Sequence, residues 1–548
     1  MKPLPSRLAW LGPCLALACA PAAPERPGVL TVSKEQQGAW VRNFNPLLAT
    51  DTARWPTTAG IYEPLLIYNT IQGEWVPWLA TEWSWEGHTR LRFVVRDDVR
   101  WSDGVPLSVD DVLFTFHLLR DERALDAGGL WTHLADVRAC GSTEVVFEFE
   151  KPWVPGLKAV ASVPIVPAHR WREVEDPTHF ANPDPVGTGP FTEVLLFEPQ
   201  IWELGRNPHY WQEGRPAVEA LRFPALPGND QATLALIDGE IDWAGNFVPA
   251  IDRIFVDRDP EHHGYWFPAV GSTVFLYLNT TSPPLDDPRV RTAISHAIDR
   301  DLVVKVAMYD YATPSHPTGL SDGYRSWRIE PGTDWTRHDP EQARRLLDEA
   351  GLLAGSGGLR RGPDGQPLDL EITAPSGWSD WVRAAQVIAR NLHEVGLDAH
   401  VRTYDFSAWF DQLQRGDFEA SLGWCEEGPT PYEQLRGLLS AQSVRPVGQT
   451  AVRNWHRFGS DEADALIGAL ERTTDEAEQR RLAASLQEIF LREAPAIPLF
   501  PSPSWGEYST ARFTGFPTAD DPYARLSPNH PPETLLVLTR LEPREGAR

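Results

Sequence analysis

Aromatic rings and side-chain amides are the residues of this chain best suited to holding another molecule. Flat rings stack on the apolar faces of sugar rings, and amides satisfy the hydroxyls around them. Trp40, Tyr62, Trp378, Trp381, Trp409, Trp424 and Tyr432 supply the rings, and Asn43 and Asn45 the amides. Core packing is the default for any single Trp, and Asn43 and Asn45 before Pro46 also read as turn chemistry. A glycosidase would need two carboxylates roughly 5–10 Å apart across a sugar. With 76 Asp and Glu in the chain, candidate pairs are too many to point to one. His262 and His263 are adjacent, so on a regular element they diverge, and no ligand cluster surrounds them; no metal and no cofactor is expected. The expectation is a binding protein and not an enzyme.

These residues sit in 548 positions, more than one core of about 250–300 residues can serve, so two or three lobes are expected. The net charge of -26 argues against a nucleic-acid partner, which needs a basic surface. Four cysteines match no zinc spacing; Cys140 and Cys425 are expected to be isolated buried thiols. Lys2 and Arg7 precede the apolar run Leu8–Ala18, too short to span a bilayer, which ends in Leu15-Ala16-Leu17-Ala18-Cys19. That ending resembles a bacterial lipobox, with Ala16 where Leu is usual, and makes residues 1–19 a lipoprotein signal peptide with Cys19 as the lipidated residue. The Pro-rich stretch 20–27 reads as a tether.

Capped helices alternate with short strands, an α/β pattern. Helices are expected after Ser108, after Asp287 with Pro288 at the first position, after Asp339 with Pro340, from Ser379 to Gly396, and over about Asp475–Glu493. Strands are expected at Leu91–Arg96, Val145–Phe149, Val218–Phe223, Thr273–Leu278, Leu368–Thr373 and His400–Tyr404. The last two, joined by a helix, suit a parallel pair. Pro183–Pro190, Pro268–Gly271 and Pro495–Pro501 are the candidate lobe boundaries.

A family resemblance rests on segments spread along the chain. Leu79-Ala80-Thr81-Glu82-Trp83 leads to Leu91–Arg96 and then to Trp101-Ser102-Asp103-Gly104, followed by Ser108-Val109-Asp110-Asp111-Val112. Gly187-Thr188-Gly189-Pro190, Arg206-Asn207-Pro208-His209-Tyr210-Trp211, Gly239-Glu240-Ile241-Asp242 and Ala297-Ile298-Asp299-Arg300 follow in order. Together they resemble the family-5 extracellular solute-binding proteins of bacterial ABC importers, the group of oligopeptide-, dipeptide- and nickel-binding proteins. The resemblance implies a periplasmic-binding-protein-like α/β fold, with two main lobes around a ligand cleft plus an inserted third lobe. Lobe I would comprise residues 28–70, 186–270 and 496–548, lobe II, the insertion, 71–185, and lobe III 271–495. It also implies a monomer in the periplasm or at the cell surface that passes a small solute to ABC permease subunits and is held to the membrane by lipid.

For the ligand, two readings stay open. Peptide binders of the family meet the free amine with an acid before a Pro, where this chain has Thr430 before Pro431. Asn45-Pro46-Leu47, Tyr62-Glu63-Pro64-Leu65 and Trp243-Ala244-Gly245-Asn246-Phe247 resemble the branch that binds oligosaccharides, which adds Asn246 to the candidate ligand-binding residues. An oligosaccharide is preferred over a peptide, with Trp424 and Tyr432 as a stacking wall.

Overall fold

The computed structural model describes residues 28–34, 36–48, 60–355, 357–362, 365 and 368–546. Cys19 and the expected signal peptide and tether, residues 1–27, lie outside them.

Three sheets organise the chain. The first has seven strands, in the order His263–Tyr265, Glu507–Ser509, Trp243–Ala244, Val29–Ser33, Ala220–Pro224, Ile201–Arg206 and Phe191–Glu198. Val29–Ser33 is buried along its whole length, as the run Val-Leu-Thr-Val-Ser requires of a central strand, and it pairs in parallel with both neighbours.

The second sheet, antiparallel, orders Ala80–Glu86, Arg90–Val95, Glu144–Phe149 and Leu134–Ala139. Helix Val109–Asp121 covers it with Val112 and Phe116. Asp111 closes the helix start by accepting from the Ser108 N–H at 2.9 Å. The hairpin Leu66–Asn69 and Glu74–Pro77 belongs to the same core, so this lobe begins nearer residue 65 than the expected 71.

The third sheet orders Asp398–Tyr404, Asp369–Pro375, Ala420–Trp424, Thr273–Leu278 and Ala496–Pro501. Asp369–Pro375 and Asp398–Tyr404 are parallel and joined by helix Ser379–Glu394, the expected unit. Helices Pro288–Ala297 and Pro340–Glu349 start where their Asp-Pro signals put them, with Asp287 accepting from the Arg289 N–H and Asp339 from the Gln342 N–H. Helix Glu476–Glu493 ends at Ala494, one residue before Pro495.

Two expectations are corrected. Pro495–Pro501 is not a linker: residues 496–501 are a buried strand paired with Thr273–Leu278, so lobe III runs past 495 to 501. Its prolines are tolerated because it is the edge strand, with a row of N–H groups the sheet does not use. Cys140 is exposed, while Cys425 is buried as expected, and neither is in a disulfide.

Candidate functional site

A cavity of about 630 Å³ lies between the first and third lobes, with the inserted lobe closing one side. The third lobe builds its wall at the carboxyl ends of its strands, the usual place for ligands in α/β sheets. Trp424 ends the central strand, and Trp378 and Trp381 stand at the helix start just beyond Asp369–Pro375. Trp378 meets Trp381 edge-on at 4.8 Å, and Phe410 stacks on Trp424 at 5.4 Å from the core side. The first lobe contributes Asn246 and Phe247 after its short strand, Ser504 and Trp505, and the C-terminal residues Arg525, Ser527 and Asn529. Gly245 lets two of these segments touch: a Cβ there would lie 2.7 Å from Pro528, while its carbonyl accepts from the Asn529 amide at 2.8 Å. Lys158 and Ser162 come from the inserted lobe.

Three of the four acids lining this cavity are paired with arginines. Arg525 donates to Glu427 at 2.6 Å and to the Thr70 hydroxyl at 2.9 Å, and Glu533 lies 3.3 Å from its Nε. The Ser272 N–H also donates to Glu427, at 2.8 Å. Burial would push the Glu427 carboxyl up; the Arg525 guanidinium outweighs that and holds it below the usual carboxylate range. Burial pushes Glu533 up. Glu426 is gripped by Arg453 through two bonds of 2.8 and 3.1 Å. Asp380 accepts from the Asn229 amide across the lobes at 3.0 Å, and burial pushes its carboxyl up to about 6.

The neutral polar groups differ. Among the described residues, Gln36 Nε2, Asn246 Oδ1, Trp378 Nε1, Ser504 Oγ and Asn529 Oδ1 are buried with no protein partner, and all five residues line the cavity. Buried polar groups are rarely left unpaired, so these are groups a bound molecule or water must satisfy.

Comparison with known proteins gives this cleft its context. Residues 74–445 match the family of bacterial extracellular solute-binding proteins, family 5 middle. The chain belongs to family 5 of the bacterial extracellular solute-binding proteins. A putative ABC transporter peptide-binding protein of Brucella ovis is 31% identical over 466 residues, covering 82% of each chain. The nickel-binding periplasmic protein of Escherichia coli is 28% identical over 409 residues, 69% of this chain and 73% of that one. In three dimensions, a mannohexaose-bound periplasmic oligopeptide-binding protein of Thermotoga maritima aligns with TM-score 0.88 and 27% identity, over 95% of this chain and all of the other. This solute-binding protein is thus the substrate-binding component of an ABC importer, working outside the cytoplasm. Among the described residues no helix is long and apolar enough to cross a membrane.

Of the residues expected to bind ligand, Asn246, Trp378, Trp381 and Trp424 line the cleft of this solute-binding protein. Thr430 and Tyr432 line a neighbouring chamber of about 270 Å³ instead, and the Tyr432 hydroxyl donates to Glu471. The remaining five do not reach the cleft. Trp409 is fully buried behind Trp424, its indole N–H given to Ser421 at 3.1 Å. Trp40 packs edge-on against Trp202 at 5.9 Å in the first lobe's core. Tyr62 is buried and accepts from the Asn182 amide at 2.6 Å. Asn43 accepts from the Asn45 N–H, and Asn45 bonds Leu47 N–H and the Pro177 and Phe180 carbonyls: the turn reading holds for both.

Arg525, Asn529, Ser504, Gln36 and Asp380 escaped the sequence reading. Asp380 is in the first turn of a helix and the others sit on loops with no recurring spacing, and only the fold brings residues 525–533 to the cleft. One stretch, Gly319-Leu320-Ser321-Asp322-Gly323, has the spacing of a nucleophile elbow. Its local structure is a short 3-10 turn opened by Ser321, whose buried hydroxyl has no hydrogen-bond partner among the described residues.

Proposed function

We propose that the solute is an uncharged oligosaccharide, bound between the first and third lobes. One observation carries this reading: three of the cleft's acids, Glu426, Glu427 and Glu533, are paired with arginines, while five neutral polar atoms lack partners. A polyhydroxylated neutral molecule supplies both donors and acceptors to such atoms and asks for no counter-ion. Trp378, Trp381 and Trp424 give its ring faces a stacking wall. The mannohexaose bound by the Thermotoga maritima relative supports the same class.

A peptide is the second reading. Asp380 favours it, since its cross-lobe partner is the neutral Asn229 amide, leaving an acid that could meet an ammonium. Relatives named as peptide-binding support it too. Titration calorimetry with manno- and cello-oligosaccharides and with di- and tripeptides, at two salt concentrations, separates the readings. The expected result is oligosaccharide binding that changes little with salt, because the ligand has no charge to screen. Tight binding of a zwitterionic peptide, with none of any oligosaccharide, overturns it.

In this reading the protein acts as a monomer tethered to the membrane by lipid on Cys19, supported by the small residues before that Cys at the end of an apolar run. Mass spectrometry of the native protein should find an acylated N-terminus at Cys19; a mature N-terminus elsewhere, without lipid, rejects the anchor.

A further inference from the structure

The chamber of about 270 Å³ beside the cleft lies between the inserted lobe and the third lobe. Trp75, Trp85 and Leu157 form one wall, and Trp327, Tyr432 and Leu470 the other. An apolar cavity of roughly 150 Å³ is enough for benzene, so this space admits a larger ring.

Its polar groups are already used, unlike those of the main cleft. The Tyr432 hydroxyl donates to Glu471, the Gln479 amide donates to the Thr473 carbonyl at 2.8 Å, and Lys158 donates to the Glu427 carbonyl and lies 3.8 Å from the Glu433 carboxylate. Among the described residues, none that lines the chamber has a buried polar atom without a partner. A hydroxyl-rich ring placed there would give up water and gain few hydrogen bonds. An apolar group would give up nothing and gain stacking.

The two spaces adjoin. Lys158 and Pro429 belong to the walls of both, and Tyr68 in the cleft packs on Trp75 in the chamber at 5.2 Å. We infer that the chamber is a second subsite that takes an uncharged, apolar, ring-sized end group of the solute whose polar body fills the main cleft. The inference rests on the main cleft being the solute site, and not on whether that body is sugar or peptide. An aryl group on a glycoside and an aromatic side chain of a peptide are the two sources of the same chemistry.

The test uses matched ligands that differ only in this group: 4-nitrophenyl against methyl β-cellobioside, and Ala-Ala-Phe against Ala-Ala-Ala, by calorimetry, with 4-nitrophenol alone as a probe of the chamber. Two variants change the chamber and spare the cleft: Trp85→Ala removes a ring from the wall, and Gln479→Trp fills the space from a half-buried helix position. The aromatic member of whichever pair binds should be about tenfold tighter in the wild type. Both variants should abolish that gain and leave the plain member unchanged. The glycoside pair gaining identifies an aryl glycoside, and the peptide pair an aromatic peptide. Where neither plain ligand binds, saturable binding of 4-nitrophenol that Gln479→Trp abolishes still supports the chamber, while the choice of body fails on its own. Equal affinities within each pair, or 4-nitrophenol binding indifferent to Gln479→Trp, overturn the proposal.

Discussion

Glu427 and Arg525, 98 residues apart in sequence, meet across the cleft at 2.6 Å and tie the third lobe to the first. Arg525 is almost wholly buried, its side chain 4% exposed, while Glu427 keeps 29%. Replacing Arg525 by Met leaves Glu427 without its cation and should destabilise the protein by about 3 kcal/mol, near the low end for breaking a buried pair because Glu427 retains some solvent. Adding Glu427→Gln should recover part of the loss. Urea unfolding of the two single variants and the double variant checks this; additive losses would mean the pair does not couple.

Asp380 should make stability fall with rising pH. Burial raises its folded pKa from 3.8 to about 6, so the folded protein holds a proton there that the unfolded chain has released. The contribution is complete below 3.8 and is lost as pH rises through about 6. Asp380→Asn removes the titration and should gain on the wild type across that window. Thermal unfolding at successive pH values measures it, and a constant gap between the two proteins would reject the assignment. Glu427 has the opposite sign: its depressed pKa gives stability that is present above the ordinary carboxylate range and lost as pH falls through the folded value.

The indole nitrogen of Trp378 should belong to the ligand. That nitrogen has no protein partner, but the ring packs against Trp381, Phe406, Trp409 and Trp424, so Trp378→Phe should cost about 1–2 kcal/mol of stability and weaken solute binding roughly three- to tenfold. The ring of Trp424 packs against Trp409, Phe410 and Trp455 at 5.6, 5.4 and 5.6 Å, and alanine removes it entirely. Trp424→Ala should cost about 3–5 kcal/mol of stability as well as affinity. Calorimetry beside thermal melts separates the effects; unchanged affinity in Trp378→Phe would remove that indole from the site.

Lobe closure should be visible in solution. Arg383 of the third lobe lies 4.9 Å from the ring centroid of Phe247 in the first, a cation–π contact that exists only with the lobes together. Small-angle scattering should show the radius of gyration falling as solute is added, and Arg383→Ala should need several-fold more solute for the same fall. A radius unchanged at saturation would exclude hinge closure.

Most of the scaffold was legible in the sequence because its signals are local. Asp-Pro at a helix start satisfies backbone N–H groups within three residues, and the alternation in Leu91–Arg96 reports one buried face. Pro498 and Pro501 misled because edge-strand status depends on what does not pair, which no local pattern records. The cleft was legible in part. Trp424 at a strand end and Trp378 and Trp381 at a helix start face the cleft, whereas Trp40 and Trp409 are the same residue type turned into the core. Arg525 and Asn529 carried no signal, because their role depends on partners such as Glu427 and Gly245 that are distant in the chain.

The arrangement of the seven-stranded sheet also constrains when the protein can be assembled. Its central strand, Val29–Ser33, is made first, yet it needs Ala220–Pro224 and Trp243–Ala244 on either side. Among the described residues His263–Tyr265 pairs only with Glu507–Ser509, far later in the chain. Such long-range pairings form slowly. The first lobe's sheet therefore cannot be completed until residues 507–509 are available to it. The inserted lobe, whose sheet lies within residues 80–149, can fold well before it. Early closure is thus open to the inserted lobe and denied to the lobe that carries both ends of the seven-stranded sheet.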